Sequence, residues 1–263
     1  MPPEPLLEVQ GVRVNYGRFE ALKGVSYVVR EGQIVCLLGG NASGKSTSMK
    51  AIFGTVPLAS GSVRMSGVDA TRRSTVWRVR HGLAAVPEGR RMFAHLTVEE
   101  NLLVAGLPGL GQADRQADIA RVFAFFPALV ALRRRQAGTL SGGEQQMVAF
   151  GRALMARPTL ICMDEPSMGL SPKLVARSIE LIRALRGTGT SVLLIEQNAR
   201  AALSIADYAY VLRQGEVVLA GTPAEVAADP LMQEAYLGSA GARPSEVAPA
   251  VISEPLDPAA GTG

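Results

Sequence analysis

Residues 39–46 read Gly39-Gly40-Asn41-Ala42-Ser43-Gly44-Lys45-Ser46, with Thr47 following. The stretch matches G-x-x-x-x-G-K-[ST], a turn whose backbone N–H groups cradle phosphates. In that pattern Lys45 reaches the β/γ oxygens and Ser46 binds Mg²⁺. Without a ligand the same residues would be only a glycine-rich strand-to-helix turn. Context favours the phosphate reading. The apolar run 34–38 precedes it as a buried strand, and a helical pattern over 45–53 follows, ended by Gly54 at C′.

Phosphate transfer also needs an acidic metal partner, and Thr159-Leu-Ile-Cys-Met-Asp164-Glu165-Pro supplies one after a second apolar run. Asp164 is expected to hold Mg²⁺ and Glu165 to polarise an attacking water, although two acids closing a strand end would look alike. Leu38, Met163 and Ile195 each end a strand-like run. In an open parallel sheet, ligands gather where such ends converge.

Outward from these ends, strands are expected at 7–14, 25–29, 62–65 and 83–86, with 45–53 the one helix among them. From 97 to 157 the pattern is helical, opened by Thr97/Glu100 and again by Ser141/Glu144 as capping boxes. Strand 159–163, helix 172–186, strand 191–195, a helix from Ala199 and a hairpin around Gln214-Gly215 complete the unit. Ser171-Pro172 and Thr222-Pro223 each read as an N-cap before Pro at N1. The fold class is α/β: a parallel sheet, an antiparallel strand group on its N-terminal side and a helical insert. Residues 239–263, rich in Ala, Pro and Gly and without an aromatic, read as a disordered tail.

Composition narrows the partners. The formal charge of +4 over 263 residues is a weak field, with 23 Arg and 4 Lys and no dense basic run beyond residues 133–135. Nucleic-acid binding is not expected. No apolar run approaches the ~20 residues of a membrane span, and the first residues lack a signal-peptide pattern. Cys36 and Cys162, inside apolar runs, read as reduced core thiols. His81 and His95 have no partners at metal-ligand spacing.

Leu140-Ser141-Gly142-Gly143-Glu144-Gln145-Gln146 opens a helix in which Ser141 can cap while Gly142 and Gly143 admit an anion to the exposed N–H groups. With the phosphate loop before it, this segment makes residues 5–238 resemble the ATP-binding cassette (ABC) family, whose signature motif it is. The resemblance implies a P-loop NTPase (RecA-like) core, an antiparallel β subdomain and an α-helical subdomain inserted at about 91–157. It also implies ATP and Mg²⁺ as cofactors and hydrolysis in a head-to-tail dimer, residues 141–143 facing the γ-phosphate held by the other subunit. Tyr16 matches the aromatic that stacks on adenine, unless it packs in the core.

Four departures from the family pattern stand out. Ala42 occupies a usual glycine, which predicts a negative φ there. Glu88 replaces a Gln that contacts Mg²⁺ and water, so it joins the catalytic and metal candidates. Ser167 replaces an Asp between subunits. Gln197 stands where a His touches the γ-phosphate, or merely finishes the strand beside Asn198. The segments VPEGRRMF (86–93), EPSMGLSP (165–172), IEQNARAAL (195–203) and DPLMQEAYLG (229–238) resemble one of two ATPase subunits of branched-chain amino acid uptake systems. Related urea or amide importers, which keep Gln where Glu88 stands, are the nearest competitor, and a nucleotide-dependent clamp with little turnover is another. The implied partners are a second ABC ATPase subunit, as a heterodimer in preference to a homodimer, two transmembrane permease subunits and, indirectly, a solute-binding protein. Residues 90–93 (Arg90, Arg91, Met92, Phe93) are expected to dock a permease helix, which puts the chain on the cytoplasmic face of the inner membrane.

Overall fold

The computed structural model describes residues 5–107, 109 and 111–233. The tail at 239–263 and the end of the 229–238 segment lie outside the described residues. In chain order come β1 (Pro5–Tyr16), β2 (Phe19–Arg30), β3 (Ile34–Leu38), α1 (Lys45–Phe53), β4 (Ser60–Met65), β5 (Val68–Asp69), α2 (Thr75–Arg80) and β6 (Leu83–Val86). Then follow α3 (Val98–Ala105), α4 (Gln112–Phe125), α5 (Gly142–Leu154), β7 (Leu160–Asp164), α6 (Pro172–Arg186) and β8 (Ser191–Glu196). Helix α7 (Ala199–Leu203), β9 (Tyr208–Arg213), β10 (Glu216–Gly221), α8 (Pro223–Ala228) and α9 (Pro230–Met232) close the described chain.

Two sheets result. One is antiparallel in the order β2-β1-β4-β5; the other runs β10-β9-β3-β8-β7-β6, parallel from β9 to β6 with β10 antiparallel at its edge. The parallel strands are buried on both faces, as continuous apolar runs require. Ile34, Cys36 and Leu38 face a cluster with Val98, Leu102, Val148 and Phe150 of the helical side. Val35 and Leu37 face the opposite way, into a cluster with Val9, Tyr27 and Val63 between the two sheets. Cys36 and Cys162 are free, buried and on opposite sides of this layer, and burial pushes both thiols up. Among the described residues no helix is long and apolar enough to cross a membrane.

Local chemistry explains the element ends. Gly54 stops α1 in the left-handed region, and Thr97, Ser141 and Thr222 close reciprocal capping boxes with Glu100, Glu144 and Glu225. Ser171 takes the N-cap position of α6, yet its hydroxyl makes no cap bond. The expectation of a single helix in the first third is corrected by α2. Its six residues, Thr-Val-Trp-Arg-Val-Arg, alternate as a strand would, and only the Ser74 cap favours a helix. Arg78 of α2 is fully buried and donates to the carbonyls of Ala51 (2.8 Å), Ile52 and Ala70 (2.6 Å), so it helps to satisfy the carbonyls at the end of α1.

Candidate functional site

Sheet register brings three loops to one edge. Leu38 of β3 pairs with Glu196 of β8, and Ile195 pairs with Asp164 of β7. The loops beginning at Gly39, Glu165 and Gln197 therefore leave three adjacent strands, roughly 5 Å apart each, at their carboxyl ends.

The first loop wraps a cavity of about 300 Å³ lined by Asn41 to Thr47, together with Tyr16, Phe19, Glu88, Glu165 and Met168. A Cβ on Gly39 would collide with Ser43 Oγ and the Leu212 carbonyl, and Gly44 enters the helix at φ +108°. Helix α1 has no acidic residue in its first turn, so its positive end stays open for an anion. Ala42, expected at negative φ, lies at φ +60°. The prediction is corrected: the loop keeps the left-handed geometry of a glycine, and the alanine adopts it.

Lys45 is almost wholly buried. Its ammonium donates to the carbonyls of Gly39 (2.7 Å) and Gly40 (2.9 Å) and lies 3.3 Å from a carboxylate oxygen of Glu165. Glu165 holds a left-handed φ of +45°, and its N–H donates to the Ile195 carbonyl at 2.8 Å. Such strain in a non-glycine residue persists where surrounding structure imposes it, and it clusters at functional sites.

The residues present fit a divalent cation. Buried Asp164 Oδ1 and Ser43 Oγ have no hydrogen-bond partner among the described residues. Burial pushes the Asp164 carboxyl up to about 6, with further repulsion from Glu165 and Glu88. Ser46 is exposed on the cavity wall near these acids. A hard cation would relieve this repulsion through oxygen ligands.

Tyr16 ends β1 with 44% of its surface exposed on the cavity rim, so it is no core aromatic, and Lys50 lies 5.8 Å from its ring. Phe19, opposite it across the hairpin turn, is 66% exposed and lines the same cavity. Sequence reading missed Phe19; its signal is the tight Tyr-Gly-Arg-Phe turn that sets two aromatics side by side.

The structure does not bring residues 141–143 to this cavity. Ser141 caps α5, its hydroxyl accepting from Glu144 N–H while the Glu144 carboxylate accepts from Ser141 N–H (2.7 Å). Gln197 is exposed beside the phosphate loop, though its side chain does not line the cavity. The cap of α7 is made by Asn198, whose Oδ1 accepts from Ala201 N–H (3.2 Å). Ser167 is buried. Glu196, which sequence reading passed over, is also buried and accepts backbone N–H groups from two of the three loops. Farther along, Arg90 and Arg91 line a groove with Ala149 and Arg152 of α5; Met92 packs on the core and Phe93 is 46% exposed.

Comparison with known proteins identifies the family. The family model described as ABC transporter matches residues 22–168. The chain is 44% identical over 233 residues to the high-affinity branched-chain amino acid transport ATP-binding protein BraG of Pseudomonas aeruginosa, covering 89% of this chain and 100% of that one. It is 35% identical to the lipopolysaccharide export system ATP-binding protein LptB of Acidithiobacillus ferridurans, over 89% and 97% of the two chains. Among solved structures, the ADP conformation of MJ1267, an ATP-binding cassette of an ABC transporter, superposes with TM-score 0.80 at 29% identity and covers 90% of this chain and 100% of that one. A glycine-rich cradle after β3 and an acidic pair two strands away at the end of β7 thus lie in a chain similar to these proteins along nearly its whole length: it belongs to the ABC transporter family, as an ATPase.

Proposed function

We propose that this ATPase powers uptake of branched-chain, hydrophobic amino acids from the cytoplasmic face of the membrane, in complex with two permease subunits, a second and different ATPase subunit and, indirectly, a solute-binding protein. The observation that carries the solute is the 44% identity to BraG across that protein's full length, set against 35% for LptB. Residues 5–238 would form the ABC unit, with the helical subdomain at about 91–157 docking the permease through the groove at Arg90 and Arg91 and the exposed ring of Phe93.

In this reading residues 39–47 hold the phosphates and Tyr16 stacks on adenine. Ser46, Asp164 and Glu88 would hold Mg²⁺, which neutralises phosphate charge when bound. Lys45 trades Glu165 for the β/γ oxygens. That exchange frees the Glu165 carboxylate to take a proton from the attacking water, while Gln197 orients that water or donates to a phosphate oxygen. Residues 141–143 of the second subunit would close the site from the other side. The presence of both Asp164 and Glu165 supports turnover over a clamp that merely binds.

The test is reconstitution with the permease, binding-protein and second ATPase subunits in proteoliposomes. ATP-driven leucine, isoleucine or valine uptake is expected, and Lys45→Ala should abolish it. Phosphate release that ignores these solutes but responds to urea, amides or lipopolysaccharide would overturn the substrate reading.

A further inference from the structure

Glu196 ends β8 with 3% of its surface exposed. One carboxylate oxygen accepts from the N–H of Ser167 at 3.0 Å, in the loop that follows Glu165. The other accepts from the N–H groups of Gln197 at 3.2 Å and Asn198 at 3.4 Å. A single buried carboxylate therefore joins two segments 29 residues apart in sequence. These are the loop beyond the proposed base and the loop carrying the proposed water- or phosphate-contacting amide. The Glu165 N–H bond to Ile195 fastens the first loop from its other end.

Charge-assisted hydrogen bonds from backbone N–H to carboxylate are short-range and directional, and they set backbone rather than side-chain positions. We infer that Glu196 is a positioning residue for hydrolysis, holding the backbones of Ser167 and Gln197 in fixed relation so that Glu165 and Gln197 meet the γ-phosphate together. It acts through those two loops and touches neither nucleotide nor metal. The inference rests on the ATPase reading of the same site.

Glu196→Gln has nearly the same shape but replaces one acceptor oxygen by an N–H₂ that must face another N–H. One loop is thereby released while the β8 strand and both apolar clusters keep every carbon atom. Glu196→Asp keeps the charge and both acceptor oxygens on an arm one methylene shorter, so the tie between the two loops is loosened but not removed. The experiment compares wild type and both variants, each assembled with the permease and second ATPase subunits, for steady-state phosphate release, affinity for a fluorescent ATP analogue and melting temperature, with Lys45→Ala as control. Misplacement by about 1 Å costs turnover on the order of 100-fold. Glu196→Gln is therefore expected to lower kcat about 10–100-fold, with KM and analogue affinity within about threefold of wild type. Glu196→Asp should recover part of kcat. Two results would overturn the inference. One is a Glu196→Gln kcat within twofold of wild type. The other is kcat and affinity falling together with the melting temperature and no recovery in Glu196→Asp, which marks a purely structural role. A wild-type complex that fails to release phosphate above the Lys45→Ala complex would instead refute the ATPase reading itself.

Discussion

Replacing Ala42 by glycine should stabilise the protein. Ala42 sits at φ +60° with its methyl exposed, so removing the methyl uncovers no core surface. A left-handed conformation costs an L-residue about 1–2 kcal/mol. Glycine escapes that cost, but it also gives the unfolded chain more freedom, which takes back about 0.4–1 kcal/mol. The net gain is about 0.5–1 kcal/mol, and a chain of this size shifts by about 2–4 °C per kcal/mol. Scanning calorimetry of the nucleotide-free chain should therefore show Ala42→Gly melting about 1–4 °C above wild type. Ala42→Asn should match or exceed alanine, since asparagine tolerates this region, and Ala42→Val should melt lower by a similar margin or more. Affinity for a fluorescent ATP analogue should follow the same order with smaller steps, because the loop N–H directions are unchanged in the glycine variant. If valine melts level with alanine and glycine melts lower, the residue occupies negative φ and the reasoning fails.

Glu165→Gln keeps the shape of the base but cannot take a proton, so ATP should bind and remain; turnover falls at least about 100-fold, and ATP-dependent dimers should persist on size exclusion. Gln197→Ala should lower kcat roughly 10–1000-fold with little change in ATP affinity, by analogy with losing one transition-state donor, and Gln197→His should restore part of it; near-normal activity in the alanine variant would remove Gln197 from the mechanism. Asp164→Asn relieves a buried carboxylate crowded by Glu165 and Glu88, so the nucleotide-free protein should melt about 2 °C higher while Mg²⁺-dependent stabilisation by ATP disappears. A melting point at or below wild type would show that Asp164 is not under charge stress.

What could be read from sequence was whatever chemistry is local. Gly54, Thr97, Ser141 and Thr222 mark helix ends because a cap needs only a few neighbouring residues, and the elements they bound fall where the caps put them. The phosphate loop is equally local. Helix α2 escaped because six alternating residues satisfy two periods at once, and its identity depends on Arg78 finding the carbonyls of a helix more than twenty residues away. Glu196 escaped for a related reason. A charged residue at a strand end looks solvated until the sheet places another loop's N–H against it. The φ of Ala42 was misjudged because side-chain preference was allowed to decide a geometry that the whole loop imposes.

The connection between β6 and β7 bears on how this chain can be cut and rejoined. The two strands lie parallel, Leu83 beside Leu160 and Val86 beside Met163, so the chain must travel back the full strand length between them. Helix α5 makes that return journey. Met147, Val148 and Phe150 belong to the same buried cluster as Ala84 and Val86. The signature helix is therefore wired into the sheet, whereas α3 and α4 hang from it. Modular exchange among relatives has a natural seam between them: a graft replacing the stretch before residue 136 leaves the crossover intact, and one that takes Gly142–Leu154 severs it. The serine that caps α5 travels with the sheet through any such rearrangement, whatever helices are spliced in ahead of it.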